Sequence, residues 1–88
     1  MAERTVQIVN KVGLHARPAA QIVKMAAKFS SEITIGRDGT DVNAKSIMGV
    51  MMLAAECGAM LQLQAVGPDA EAALDALAAL VASGFGEA

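Results

Sequence analysis

Residues 5–10 alternate, with Val6 and Ile8 on one side and Thr5 and Gln7 on the other, which predicts a half-buried strand. After a short connector the period lengthens. Over residues 16–29, Ala19, Ile22, Ala26 and Phe29 recur at steps of three and four, while Arg17, Gln21, Lys24 and Lys28 trace the opposite face, as in an amphipathic helix. Pro18 falls in the first turn of that helix, where its missing donor would have no intrahelical partner. Ser30 and Ser31 close it. Residues 32–35 and Thr40–Asn43 predict a β-hairpin turned by Gly36, Arg37, Asp38 and Gly39. Ser46 is placed to cap a short helix reaching about residue 55, and Met60–Val66 alternates again as a fourth strand. Gly67, Pro68 and Asp69 open a last helix, with Asp69 as its candidate cap, Leu74, Leu77, Ala78 and Val81 as its apolar stripe and Gly84 as its terminator.

The predicted order is βαββαβα. Four strands with period-two patterning imply an antiparallel sheet with one apolar face, and three helices are available to cover it. The expected fold is therefore α+β: a single domain over residues 1–88, built as a two-layer open-faced sandwich with the other sheet face in solvent.

Composition narrows the function. The chain is 55% hydrophobic, enough for a packed core, but its only aromatics are Phe29 and Phe85. With no aromatic platform for bases, nucleic-acid binding is not expected. All seven Lys and Arg lie within residues 1–67 with five of the nine acids, a local balance of +2, whereas residues 68–88 hold four acids and no base. The cationic part is thus the part containing His15. Cys57 and His15 are each the sole residue of their type, so neither an internal disulfide nor a structural zinc site is expected, and no metal or cofactor. No stretch approaches the roughly 20 apolar residues of a membrane span, and the first ten residues do not read as a secretion signal. A cytoplasmic monomer without membrane insertion is the expectation.

The candidate chemistry centres on the string Gly13-Leu14-His15-Ala16-Arg17-Pro18-Ala19. It places one imidazole at the mouth of a helix, where backbone amides and a nearby guanidinium can receive an anion. A neutral imidazole nitrogen is a competent nucleophile near neutral pH, and its bond to phosphorus is labile enough to pass the group on. Arg17 must point away from the core, because it lies opposite Ala19, and its planar fork matches phosphate oxygens. A lone histidine at a helix start is more often a mere cap. The combination with Gly13, which permits close backbone approach, and the small Ala16 and Ala19 favours a covalent carrier.

That string resembles the active-site signature of the histidine-containing phosphocarrier (HPr) family of the bacterial phosphoenolpyruvate-dependent phosphotransferase system, and the element order is similar across essentially the whole chain. The resemblance implies that His15 is phosphorylated by Enzyme I, that Arg17 assists, and that the group passes to the A component of a permease or of a nitrogen branch. The alanine-rich last helix and Gly84-Phe85-Gly86-Glu87 resemble nitrogen-branch members, and both branches stay open.

A second string surrounds Ser46. Helical geometry puts Ile47, Met48 and Met51 on one side of the short helix and Val50, Leu53 and Ala54 on the other. So short a helix on one sheet can bury only one of these sides. The other is then an exposed patch, and methionine suits a surface that fits several partners. Ser46 is among the best N-cap types, which is sufficient reason for its presence. The string around it also resembles the regulatory serine region of the same family, implying phosphorylation by HPr kinase/phosphorylase. With Ala20 and the basic residues Lys24 and Lys28, the patch forms the candidate partner-binding surface. The alternative function is a regulatory adaptor acting mainly through phosphorylated Ser46; the presence of both His15 and Arg17 favours the carrier. The sequence from Gly39 to Ser46 falls one residue short of a nucleotide-binding P-loop, since Ala44 stands where the second glycine must wrap phosphate.

Overall fold

A computed structural model of the chain describes residues 1–86. Glu87 of the terminal string lies outside the described residues. The elements follow the expected order: β1 (Ala2–Gln7), α1 (Ala16–Ala26), β2 (Glu32–Arg37), β3 (Thr40–Asn43), α2 (Ile47–Met52), β4 (Met60–Val66) and α3 (Ala70–Ala82), ending in a single turn at Gly84–Gly86. The four strands form one antiparallel sheet in the order β1-β4-β2-β3.

Register explains the two faces of the sheet. Ala2 pairs with Ala65 and Ala65 with Ile33; Arg4 pairs with Leu63, Leu63 with Ile35 and Ile35 with Val42. These rows, with Val6 opposite Leu61, face the helices, and Ile33, Ile35, Leu61, Leu63 and Ala65 are buried there. The intervening rows are polar: Glu3–Gln64–Thr34–Asn43 and Thr5–Gln62–Gly36–Asp41. Arg4 stands on the helical face of the edge strand and pairs with Asp75 of α3 at 2.6 Å, so its charge is met at the rim.

Helix α3 lies over β1 and β4, α1 packs against α2 and α3, and α2 sits at the β3 end of the layer. Ala19, Ile22 and Ala26 of α1, Val50 of α2, and Ala73, Leu74, Leu77 and Val81 of α3 fill the aliphatic core. This is the α+β open-faced sandwich expected.

Several boundaries differ for identifiable reasons. β1 starts and ends earlier than residues 5–10: Ile8 is buried but bonds irregularly to Gly58 and Ala59, and Asn10 is committed to a turn. α1 ends at Ala26, and Lys28 and Phe29 close tighter three-residue turns onto Met25 and Ala26. The hairpin needs only Asp38 and Gly39 as its loop. Both have positive φ, 51° and 85°, as a two-residue turn of this hand requires, so β2 keeps Gly36 and Arg37. α2 stops at Met52 because Ala54 turns left-handed at φ 49°.

Asp69 occupies the N-cap position of α3 but makes no side-chain capping bond. Its carboxylate accepts from the Ser30 and Ser31 amides, each at 2.9 Å, and from the Ser31 hydroxyl. It ties the start of α3 to the exit of α1, and these bonds, the Ser31 hydroxyl first, lower its pKa to about 2. The turn after Gly84, unforeseen from sequence, holds Phe85 buried with φ 60°.

Candidate functional site

The segment before α1 is fixed by backbone. Asn10 and Gly13 close a tight turn, with the Gly13 amide donating to the Asn10 carbonyl at 3.2 Å and the buried Asn10 Nδ2 donating to the Gly13 carbonyl at 2.8 Å. The Leu14 amide then donates to the Ala55 carbonyl, beyond α2, at 2.8 Å. Gly13 has φ 81°, and a Cβ there would stand 2.6 Å from the Ala55 oxygen and 2.9 Å from Glu56 Cα. Only glycine satisfies both the conformation and the approach.

His15 follows as the N-cap residue of α1, extended at φ −85°, and its side chain makes no capping bond. Its carbonyl accepts from the Ala19 amide at 3.0 Å, opening the helix, and the residue is partly exposed. α1 carries no acid in its first turn, so its amide end keeps its positive character. Arg17 is exposed, and it lines one open cleft of about 550 Å³ with His15, Lys11, Val12, Gln21, Phe85 and Gly86. Gln21 Nε2 donates to the Phe85 carbonyl at 3.2 Å, which fixes the far wall.

The platform beneath this loop has its own clamp. Arg37, at the end of β2, donates through Nη1 to the carbonyls of Leu53 at 3.2 Å and Ala54 at 2.9 Å, and its Nη2 meets Glu56. Backbone hydrogen bonding, reinforced by the Arg37 charge, holds the Glu56 carboxyl below its ordinary pKa. Arg37 therefore braces the left-handed Ala54 turn that presents the Ala55 carbonyl to Leu14.

The structure brings His15 and Arg17 to one cleft. Lys24 and Lys28 are exposed farther along α1, and Ala20 is half-buried on it; none of the three lines that cleft. Ser46 is the N-cap of α2, its Oγ accepting from the Gly49 amide at 3.2 Å, and it sits at the opposite end of α2 from the Leu14–Ala55 contact. Ile47, Met48 and Met51 are exposed while Val50 and Leu53 are buried, so the two-sided reading of this helix holds. Ala54, assigned to the inner side, is exposed, because its turn lies beyond the helix. Met52 joins the outer patch at 75% exposure. Sequence reasoning missed Lys11, Gln21 and Phe85 as cleft residues. Gln21 was legible, one turn beyond Arg17 on the same face; Phe85 depends on a return of the chain across 64 residues.

The family model for the phosphorylation site of the phosphotransferase-system HPr component matches residues 2–83. The chain belongs to the HPr family. An HPr phosphocarrier of Cupriavidus necator is 51% identical over 87 residues, which cover 99% of this chain and 98% of that one. Among solved structures, an HPr of Thermoanaerobacter tengcongensis is 52% identical, covers 100% of this chain and 99% of its own, and superposes with a TM-score of 0.96. A dimeric HPr structure from the same organism is 53% identical, covers 99% of this chain and 100% of its own, and has a TM-score of 0.80. That HPr relative runs against the expected monomer: an exposed apolar surface can be buried by another copy as well as by a partner, and sequence pattern does not distinguish the two. Among the described residues, no helix is long and apolar enough to cross a membrane, and no three His, Cys, Asp or Glu side chains gather to hold a metal.

Proposed function

We propose that this HPr-family chain is a stoichiometric phosphocarrier in which His15 takes a phosphoryl group from phosphorylated Enzyme I and passes it to the A component of a sugar permease or of a nitrogen-branch homologue. The observation that carries this reading is His15 at the amide end of α1, sharing an open cleft with Arg17. The imidazole supplies the nucleophile, the helix end and the guanidinium stabilise the added charge, and the cleft that His15 lines is open to the surface, where a second protein can approach. A carrier must leave each partner, and the exposed Ile47, Met48 and Met51, with Ala20, Lys24 and Lys28, offer a modest docking surface of apolar centre and basic rim. A cytoplasmic location fits this relay.

The same reading assigns Ser46 a regulatory role as a substrate of HPr kinase/phosphorylase. A phosphate on this N-cap would set a dianion beside Ile47 and Met48 and raise the cost of docking an acidic partner there. The deciding experiment incubates the protein with Enzyme I and labelled phosphoenolpyruvate. Acid-labile label on His15, absent in His15→Ala and discharged by an A component, supports the carrier. Label on Ser46 alone, with ATP and a kinase, would establish the adaptor instead.

A further inference from the structure

We propose that Lys11 is a second cationic contact for the phosphoryl group on His15, facing Arg17 across the cleft, so that the group is held from the loop before the helix as well as from the helix itself. The inference rests on the carrier reading of His15.

Lys11 occupies the corner of the turn that Asn10 and Gly13 close with two hydrogen bonds, so its Cα is fixed four residues ahead of the nucleophile. The next backbone bond, Leu14 to Ala55, anchors the same segment to the body of the protein. Lys11 thus stands at a defined post rather than on a loose loop, and it lines the cleft that holds His15 and Arg17.

The placement of the other cations sharpens the case. Arg4 is paired with Asp75, Arg37 with Glu56, and Lys45 Nζ donates to the Phe29 carbonyl at 2.8 Å. Among the described residues, neither Lys11 nor Arg17 has a carboxylate within salt-bridge distance, and both are exposed. These are the two cations of the cleft, and they come from different elements. Among the described residues, no acidic side chain lines it.

In the transfer, the lone pair of one imidazole nitrogen forms the bond to phosphorus. The bond from phosphorus to the donor breaks, and the donor keeps that electron pair. The arriving group brings three oxygens and net negative charge. A fork from Arg17 can satisfy two oxygens in one plane, whereas an ammonium on a flexible stem reaches an oxygen outside it. Charge-assisted contacts of this kind act on the transferring group itself, unlike rim charges, which mainly change the encounter rate.

The test compares the wild type with Lys11→Gln, Lys11→Arg and Lys24→Gln in rapid-quench phosphorylation by phosphorylated Enzyme I over a range of carrier concentrations. Lys11→Gln is expected to lower the saturating transfer rate about tenfold, the scale of one charge-assisted hydrogen bond. Lys11→Arg restores most of it, and Lys24→Gln shifts only the half-saturating concentration. Thermal unfolding of the Lys11 variants should match wild type, because the side chain is exposed in a turn. A saturating rate unchanged in Lys11→Gln, or a change confined to half-saturation, overturns the proposal while leaving the carrier intact. Failure of the wild type itself to take label on His15 removes the carrier reading and this one with it.

Discussion

The Leu14 amide and the Ala55 carbonyl, 41 positions apart in sequence, meet at 2.8 Å and make the backbone after α2 a platform for the loop that carries His15. The placement of His15 is thereby coupled to how α2 ends. Gly13, with its α-carbon against the same carbonyl, and Arg37, bracing the turn from below, are the two residues on which that coupling depends.

Gly13→Ala forces an L-residue into φ 81° with its Cβ inside contact distance of Ala55 and Glu56. A loss of more than about 1 kcal/mol in urea unfolding is expected, with slower phosphorylation of His15. An unchanged denaturation midpoint would show that the loop can move away without cost.

Arg37→Met removes the donors to Leu53 and Ala54 along with the ion pair to Glu56 while keeping aliphatic bulk. The loss of the carbonyl bonds should cost about 1 kcal/mol, and the Leu14 amide should exchange its hydrogen faster than in wild type. Hydrogen exchange by NMR reads this directly; a Leu14 amide as protected as before would uncouple Arg37 from the His15 loop.

The Asp69 carboxyl, lowered to about 2 from 3.8 by the Ser31 hydroxyl and the Ser30 and Ser31 amides, gives a prediction in acid. A depressed folded-state pKa means that its stabilisation is present above about pH 4 and is lost as pH falls through the folded value near 2. Asp69→Asn should therefore be less stable than wild type at neutral pH, with the gap narrowing across that window. A gap independent of pH would mean that the carboxylate charge is not what holds Ser30 and Ser31.

Ser46→Ala should cost about 1 kcal/mol, because the Gly49 amide loses its cap. Ser46→Asp should keep the cap, since aspartate is an equally good N-cap type, yet slow transfer from phosphorylated Enzyme I by placing charge beside the apolar patch. Transfer by Ser46→Asp at the wild-type rate would remove the inhibitory role.

The two sides of α2 should separate stability from docking. Met48→Ser, at a site 74% exposed, should change stability by no more than about 0.5 kcal/mol but weaken capture of phosphate from Enzyme I. Leu53→Ala, at a buried site, should cost about 2–5 kcal/mol. Similar stability losses from both would mean that the outer patch is part of the core.

What periodicity records is which face of an element is apolar, and this chain records it clearly. The alternation of Leu61, Leu63 and Ala65, the three-and-four spacing of Ala19, Ile22 and Ala26, and the inner stripe of α2 at Val50 and Leu53 all correspond to buried faces, while the opposed stripe of α2 is exposed. His15 with Arg17 was legible for the same kind of reason: both belong to one short string, and helix geometry fixes their neighbourhood. Hydrogen-bonding partners distant in the chain leave no such trace. Asp69 looked like a helix cap, as its position suggests, but its oxygens are drawn to Ser30 and Ser31, which the folding of α3 against the exit of α1 brings within reach.

By itself, then, the sequence determined the element order, the sandwich and the placing of His15 beside Arg17, because each is encoded by local period or by residues a turn apart. The tertiary structure alone decided that Ala55 would support Leu14, that Arg37 would brace that support, and that Phe85 would wall the His15 cleft with φ 60°. These contacts join residues from separate elements, and their geometry exists only after the apolar faces have been buried against one another.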